Sequence, residues 1–211
     1  MATVIEKKLL NHPSLYINDE ELSATLQLGI FQRHGLVKRA LQKGDLIRVR
    51  RGLYCIGENL TKTKPNPYVL AQKIYWPSYI SMETALSYHG LIPEAVYTTT
   101  SVTTKRNKVF HTPYGTFNYA KLPADNFFLQ VLRKSENNVS YFVATPWKAI
   151  CDYVYCHKKN WRNLQPLNKS LRIETDELPP ITTLELTELK NYYQSKRMTD
   201  FILGIKKELQ L

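Results

Sequence analysis

Nine side chains between Gln32 and Arg51 have the types and the spacing to read a nucleic acid. Gln32, Arg33, Lys38, Arg39, Gln42 and Lys43 recur along a helical pattern, and Arg48, Arg50 and Arg51 follow at the spacing of a strand and its turn. Arg and Gln offer paired donors and acceptors that match guanine and adenine in the major groove. Lys and Arg neutralise phosphates and so fix register on a duplex. From Arg33 to Arg51, seven Lys or Arg stand against a single acid, Asp45.

The elements that must position these groups follow from the flanking residues. Asn18 with Glu21 three positions on is a helix-start signature, because each side chain satisfies an orphan backbone N–H. Leu22 and Leu26 give that helix an apolar face, and Gly29 is expected to turn the chain. In the next helix Val37, Ala40 and Leu41 share a face, and Gly44 ends it. Ile47 and Val49 alternate with Arg48 and Arg50 as a half-buried strand, which Arg51-Gly52 turns and Leu53–Ile56 returns. Helix, turn, basic helix and basic hairpin together predict a winged helix-turn-helix. A leading helix over Thr3–Asn11, opened by a Thr3/Glu6 capping box and closed by Pro13, completes a domain over residues 1–57.

Residues 58–67 hold Pro65, Pro67 and polar residues without periodicity, the composition of a linker. Residues 68–211 then predict a mixed α+β domain, so the fold class is α/β in the broad sense, with an N-terminal winged helix-turn-helix. The expected elements are helices over Tyr68–Tyr75 and Ser81–His89 and a strand over Val96–Thr104. A hairpin is expected about Pro113-Tyr114-Gly115, and a second, Phe127–Leu132 with Ser140–Ala144, about Asn137-Asn138. A helix over Pro146–Tyr155 capped by Thr145, an irregular stretch over 158–181, and helices over Thr183–Gln194 and Arg197–Leu209 complete the chain.

The 211 residues carry a net charge of +11, with pI near 9.5, which favours a polyanionic partner. The surplus is uneven: residues 61–173 hold fifteen Lys or Arg against five acids. Lys105, Arg106 and Lys108 cluster in one expected loop there, a candidate second nucleic-acid surface beside the plainer reading of a solvated face. No apolar run reaches transmembrane length, the N-terminus lacks a signal-peptide core, and three cysteines make no disulfide framework, so a cytoplasmic protein is expected.

Other chemistry is poorly supplied. Cys151, Cys156 and His157 form one loose pair rather than a zinc set, and read as core thiols with a helix-end histidine. Asp176, Glu188 and Lys190 superficially match a nuclease, but Glu188 and Lys190 diverge on one helix. No phosphate loop or dinucleotide fingerprint occurs, so neither metal, cofactor nor catalytic residue is expected.

Three stretches resemble the AbiEi family, antitoxins of type IV toxin–antitoxin and abortive-infection systems. Lys43-Gly44-Asp45-Leu46 through Arg51-Gly52-Leu53-Tyr54 is similar to that family's wing. Glu83-Thr84-Ala85-Leu86-Ser87-Tyr88-His89-Gly90-Leu91 is similar to its S-A-L-S-Y-H-G-L helix, and Ala144-Thr145-Pro146-Trp147-Lys148-Ala149-Ile150-Cys151-Asp152 to its A-S-P-E-K-A-L-x-D stretch. Trp147 departs by standing where the family often has an acid. The resemblance implies a repressor of its own promoter, acting at repeated sites, whose non-catalytic second domain counters a nucleotidyltransferase toxin. Two rivals remain: a stand-alone regulator whose second domain senses a ligand, and a nuclease with a DNA-binding head.

Overall fold

A computed structural model of the chain describes Thr3–Pro93, Tyr97–Glu136 and Val139–Leu211. The expected start of a strand at Val96 and the turn at Asn137-Asn138 lie outside these residues. The chain is α+β and divides into two compact units, one comprising residues up to Ile74 with His111–Gly115, the other Tyr75–Phe110 with Thr116–Leu211. Composition alone puts the boundary earlier, at 67/68.

The first unit runs α1 (Val4–Leu10), β1 (Tyr16–Asn18), α2 (Asp19–Leu26), α3 (Ile30–Lys43), β2 (Leu46–Arg50), β3 (Leu53–Ile56), α4 (Glu58–Thr61) and α5 (Pro67–Ile74). Both expected capping boxes form, Thr3 with Glu6 and Asn18 with Glu21. Gly44 ends α3 at φ 76°, a conformation that costs an L side chain energy. The turn before α3 is built differently from the expectation. Gln27, not Gly29, takes the left-handed conformation (φ 53°), while Gly29 caps α3 at φ −59°.

The core of this unit gathers Ile5 and Leu9 of α1, Leu22 and Leu26 of α2, Ala40 of α3, and Ile17, Leu46, Tyr54 and Ile56 of the strands. Each large aliphatic side chain among them contributes about 1.5–3 kcal/mol of transfer free energy. Strand β3 is central in a three-stranded antiparallel sheet, order β1-β3-β2, and is buried along its length. The three-residue strand β1 has no counterpart among the expected elements. Register slips between Arg48 and Arg50, and the bulge leaves Val49 inside with both arginines exposed. The stretch with linker composition is structured instead: it contains α4, Pro65 is buried, and Asn66 accepts bonds from the Tyr68 and Val69 N–H groups.

The second unit is built on a six-stranded mixed sheet, order β6-β7-β5-β4-β9-β8. Its elements are β4 (Ser78–Ile80), α6 (Met82–Tyr88), β5 (Thr98–Thr103), β6 (Lys108–Thr112), β7 (Gly115–Lys121), β8 (Val131–Glu136), β9 (Val139–Ala144), α7 (Pro146–Cys156), α8 (Gln165–Leu171), α9 (Thr183–Tyr193) and α10 (Lys196–Glu208). Strand β4 sits mid-sheet, antiparallel to β5 and parallel to β9. At three residues it is too short to show periodicity in the sequence. Phe127–Gln130, expected as strand, forms turns before β8. The region over 158–181, expected to be irregular, holds α8 and a 3-10 turn at Thr175–Glu177. Among the described residues no helix is long and apolar enough to cross a membrane.

Candidate nucleic-acid interface

Helix α3 sets Leu36, Val37, Ala40 and Leu41 against the core. Gln32, Lys38, Arg39, Gln42 and Lys43 are exposed, as are Arg48, Arg50 and Arg51 of the hairpin. Arg33, Lys38, Gln42 and Arg48 come together around one groove of about 470 Å³, whose lining also includes Asp19, His34 and Tyr54. The Arg48 guanidinium lies 5.7 Å from the centroid of the ring of Tyr54, its partner across the β2–β3 ladder.

The remaining predicted residues divide by geometry. At 100° per residue, Gln32, Arg39 and Lys43 fall on one flank of α3, away from Arg33 and His34. Lys43 is engaged by Glu6 of α1 at 3.5 Å, and this pairing helps hold the Glu6 carboxyl below its usual range, after the larger effect of the Thr3 backbone bond. Half-buried Arg33 donates to the Ser23 hydroxyl, so part of its guanidinium ties α3 to α2. Arg50 donates to the carbonyl of the next residue, Arg51, at 2.9 Å. Asp19, His34 and Tyr54 are groove residues that sequence reasoning missed. His34 had a signal, since it lies one turn from Lys38.

The basic loop of the second unit is packed rather than free-swinging. Lys105 and Lys108 both place their ammonium groups over the Tyr75 ring, at 5.3 and 5.8 Å from its centroid, and Lys108 also lies 4.8 Å from that of Phe110. The Tyr75 hydroxyl donates to the Arg106 carbonyl. All three cations are exposed.

The most constrained polar group of this unit has little signature in the sequence. Lys148 and Asp152, one turn apart on α7, are both fully buried and pair at 2.9 Å. Asp152 also accepts from the hydroxyls of Tyr79 (3.0 Å), Ser81 (2.6 Å) and Tyr193 (2.6 Å). The Lys148 ammonium lies 3.7 Å from the centroid of the Tyr192 ring and donates to Tyr193. Burial pulls the Lys148 amine below its ordinary range, against the opposing pull of Asp152. The one sequence signal is an i, i+4 charge pair inside an otherwise apolar helix. Both oxygens of the carboxylate are used, so the cluster ties β4, α7 and α9 together.

The other sequence-level constellations are dispersed. Cys151 is buried and Cys156 half-buried, and His157 bonds Glu83 at 3.2 Å. His89 caps the end of α6 and bonds the Ala144 carbonyl at 2.8 Å. Glu188 on α9 accepts from Gln130, while Asp176 sits in the separate 3-10 turn. Among the described residues no three His, Cys, Asp or Glu side chains stand together as metal ligands. A scan against protein-family models and a search of curated proteins both gave no match.

Proposed function

We propose that the first unit is a winged helix-turn-helix that binds double-stranded DNA, and that the chain is a transcriptional regulator. The observation that carries this reading is the groove where Lys38, Gln42 and Arg48 meet beside an exposed basic hairpin. Lys38, Gln42 and Arg39 lie on the outward surface of α3 and enter the major groove, where Gln42 and Arg39 can bond base edges bidentately. Arg48, Arg50 and Arg51 hold the flanking backbone. Asp19, Glu20 and Glu21 complement the dipole of α2, and Asp19 is the one acid that lines the groove beside these cations. The three stretches similar to AbiEi antitoxins support a role in repressing its own promoter, and a non-catalytic second unit that counters a nucleotidyltransferase toxin.

The test is fluorescence anisotropy of the full chain on its own upstream duplex and on a scrambled one, titrated against salt. Arg50→Ala with Arg51→Ala weakens both duplexes and lowers the salt slope by roughly 0.9 for each phosphate no longer neutralised. Gln42→Ala instead costs about 1–3 kcal/mol on the upstream duplex alone. An unchanged slope in the arginine double variant, together with equal affinity for the two duplexes, refutes the assignment.

A further inference from the structure

The second unit contains a basic cleft that the DNA reading leaves unused. It measures about 820 Å³ and opens between the end of β7, the C-terminus of α7 and the junction of α9 with α10. Lys121, Lys158 and Arg197 contribute three cations to its lining, which includes no Asp or Glu. Unlike the other two, Arg197 is rigidly placed. Its guanidinium donates to the carbonyls of Val154 (2.7 Å), Lys159 (2.8 Å) and Tyr155 (3.1 Å), so its charge is oriented by neutral partners, and among the described residues no carboxylate pairs with it. The Lys121 end of the wall is pinned by its backbone N–H, which bonds the Asn107 side chain at 2.7 Å.

The walls also exclude the competing charge. The Tyr193 ring lines the cleft while its hydroxyl points back to Asp152, so the buried carboxylate is sealed behind it. Burial holds the Cys156 thiol above its ordinary range, and it brings no negative charge to the lining. Tyr155 offers an aromatic wall beside the Arg197 guanidinium. Three cations, one of them fixed, around a cleft of ligand size with no acid in its lining are the features of a site for phosphoryl oxyanions.

We propose that this cleft binds the phosphate groups of a nucleotide, with Arg197 and Lys158 on the oxyanions, Lys121 on the opposite wall and Tyr155 beside the base or sugar. The shared chemistry is the phosphoryl group, supplied either by a free nucleotide or by the 5′ end of a strand. The inference is independent of the DNA reading of the first unit and supplies the second unit with a ligand.

Calorimetric titration of the full chain in metal-free, low-salt buffer tests it, with pyrophosphate, ATP, and a trinucleotide with and without a 5′-phosphate as probes. Arg197 supports three backbone carbonyls and is unsuitable for removal, so the exposed pair is changed, Lys121→Gln with Lys158→Gln. A second double variant, Lys169→Gln with Lys207→Gln, removes the same charge elsewhere on the unit. Loss of the two cleft charges weakens phosphate binding by about tenfold or more, as expected for charge-assisted bonds, while the control stays within about twofold. ATP bound in preference to both trinucleotides identifies a free nucleotide; a trinucleotide that needs its 5′-phosphate identifies a strand end. Absence of binding by every probe, or equal losses in the two double variants, overturns the site. Arg50→Ala with Arg51→Ala leaves phosphate binding unchanged, so failure of the DNA reading and failure of this one are separable.

Discussion

Replacing Asp152 by Asn removes the carboxylate paired with Lys148, a lysine that has no access to water. Both side chains are fully buried, and the carboxylate accepts bonds from Lys148, Tyr79, Ser81 and Tyr193. In the variant, Lys148 must either keep a buried charge or surrender its proton. Surrender at pH 7 costs about 1.36 kcal/mol for each pH unit below the usual lysine value near 10.4, or about 4.6 kcal/mol, and this caps the cost of the unpaired charge itself. Breaking a buried pair by removing one partner costs about 3–5 kcal/mol in general, so the two routes agree. The assay is urea unfolding followed by tryptophan fluorescence. Trp76, Trp147 and Trp161 are the three tryptophans of the chain and all lie in the second unit, so the signal reports that unit alone. With a urea dependence of about 1–3 kcal/mol per molar, the midpoint falls by about 2 M. Lys148→Met added to Asp152→Asn removes both charges at nearly constant volume and recovers part of the loss. The sign of the pH dependence follows from linkage. In Asp152→Asn the folded lysine has a depressed pKa, the unfolded chain binds the extra proton, and stability therefore rises from pH 7 toward the unfolded value, more steeply than in the parent. A midpoint within about 0.5 M of the parent, with no added pH slope, refutes the view that the pair is a buried ionic keystone.

Other expectations are simpler. A Cβ built on Gly57 would lie 1.8 Å from the Gly44 carbonyl oxygen, so Gly57→Ala forces backbone apart and destabilises the first unit by about 3 kcal/mol or more, read by circular dichroism of thermal unfolding. Gly44→Ala meets open space but must hold φ 76°, and costs only about 1 kcal/mol in the same measurement. Gly29→Ser supplies the side-chain cap that α3 lacks and is neutral or stabilising by a few tenths of a kcal/mol, roughly the Ser–Gly difference at this position. Burial pushes the Cys55 and Cys151 thiols up to about 12, so neither reacts with a disulfide reagent at pH 8 until the chain is unfolded; prompt labelling of either would show its site to be open.

The residues that spoke for themselves in the sequence act on neighbours three or four positions away. Thr3 with Glu6, Asn18 with Glu21, Thr145 before Pro146, and Gly44 all cap helices as their local chemistry requires. The basic character of α3 and its hairpin was legible for the same reason, since it needs only periodicity and charge. What had no local signature was left to the tertiary structure. Strands β1 and β4 are three residues each and exist because longer strands pair with them. Gln27 rather than Gly29 takes the left-handed conformation, as the C-cap of α2, although glycine adopts it more easily, so residue type alone did not mark the position. Asp152 finds Tyr79 and Ser81 more than seventy positions away because β4 lies beside β9, from which α7 leads. Lys121, Lys158 and Arg197 share a cleft for a similar reason: three distant chain segments end at one place on the unit. Sequence spacing records the turn of a helix or the pleat of a strand, whereas the order of strands in a sheet, and hence which distant charges become neighbours, emerges only when the core is closed.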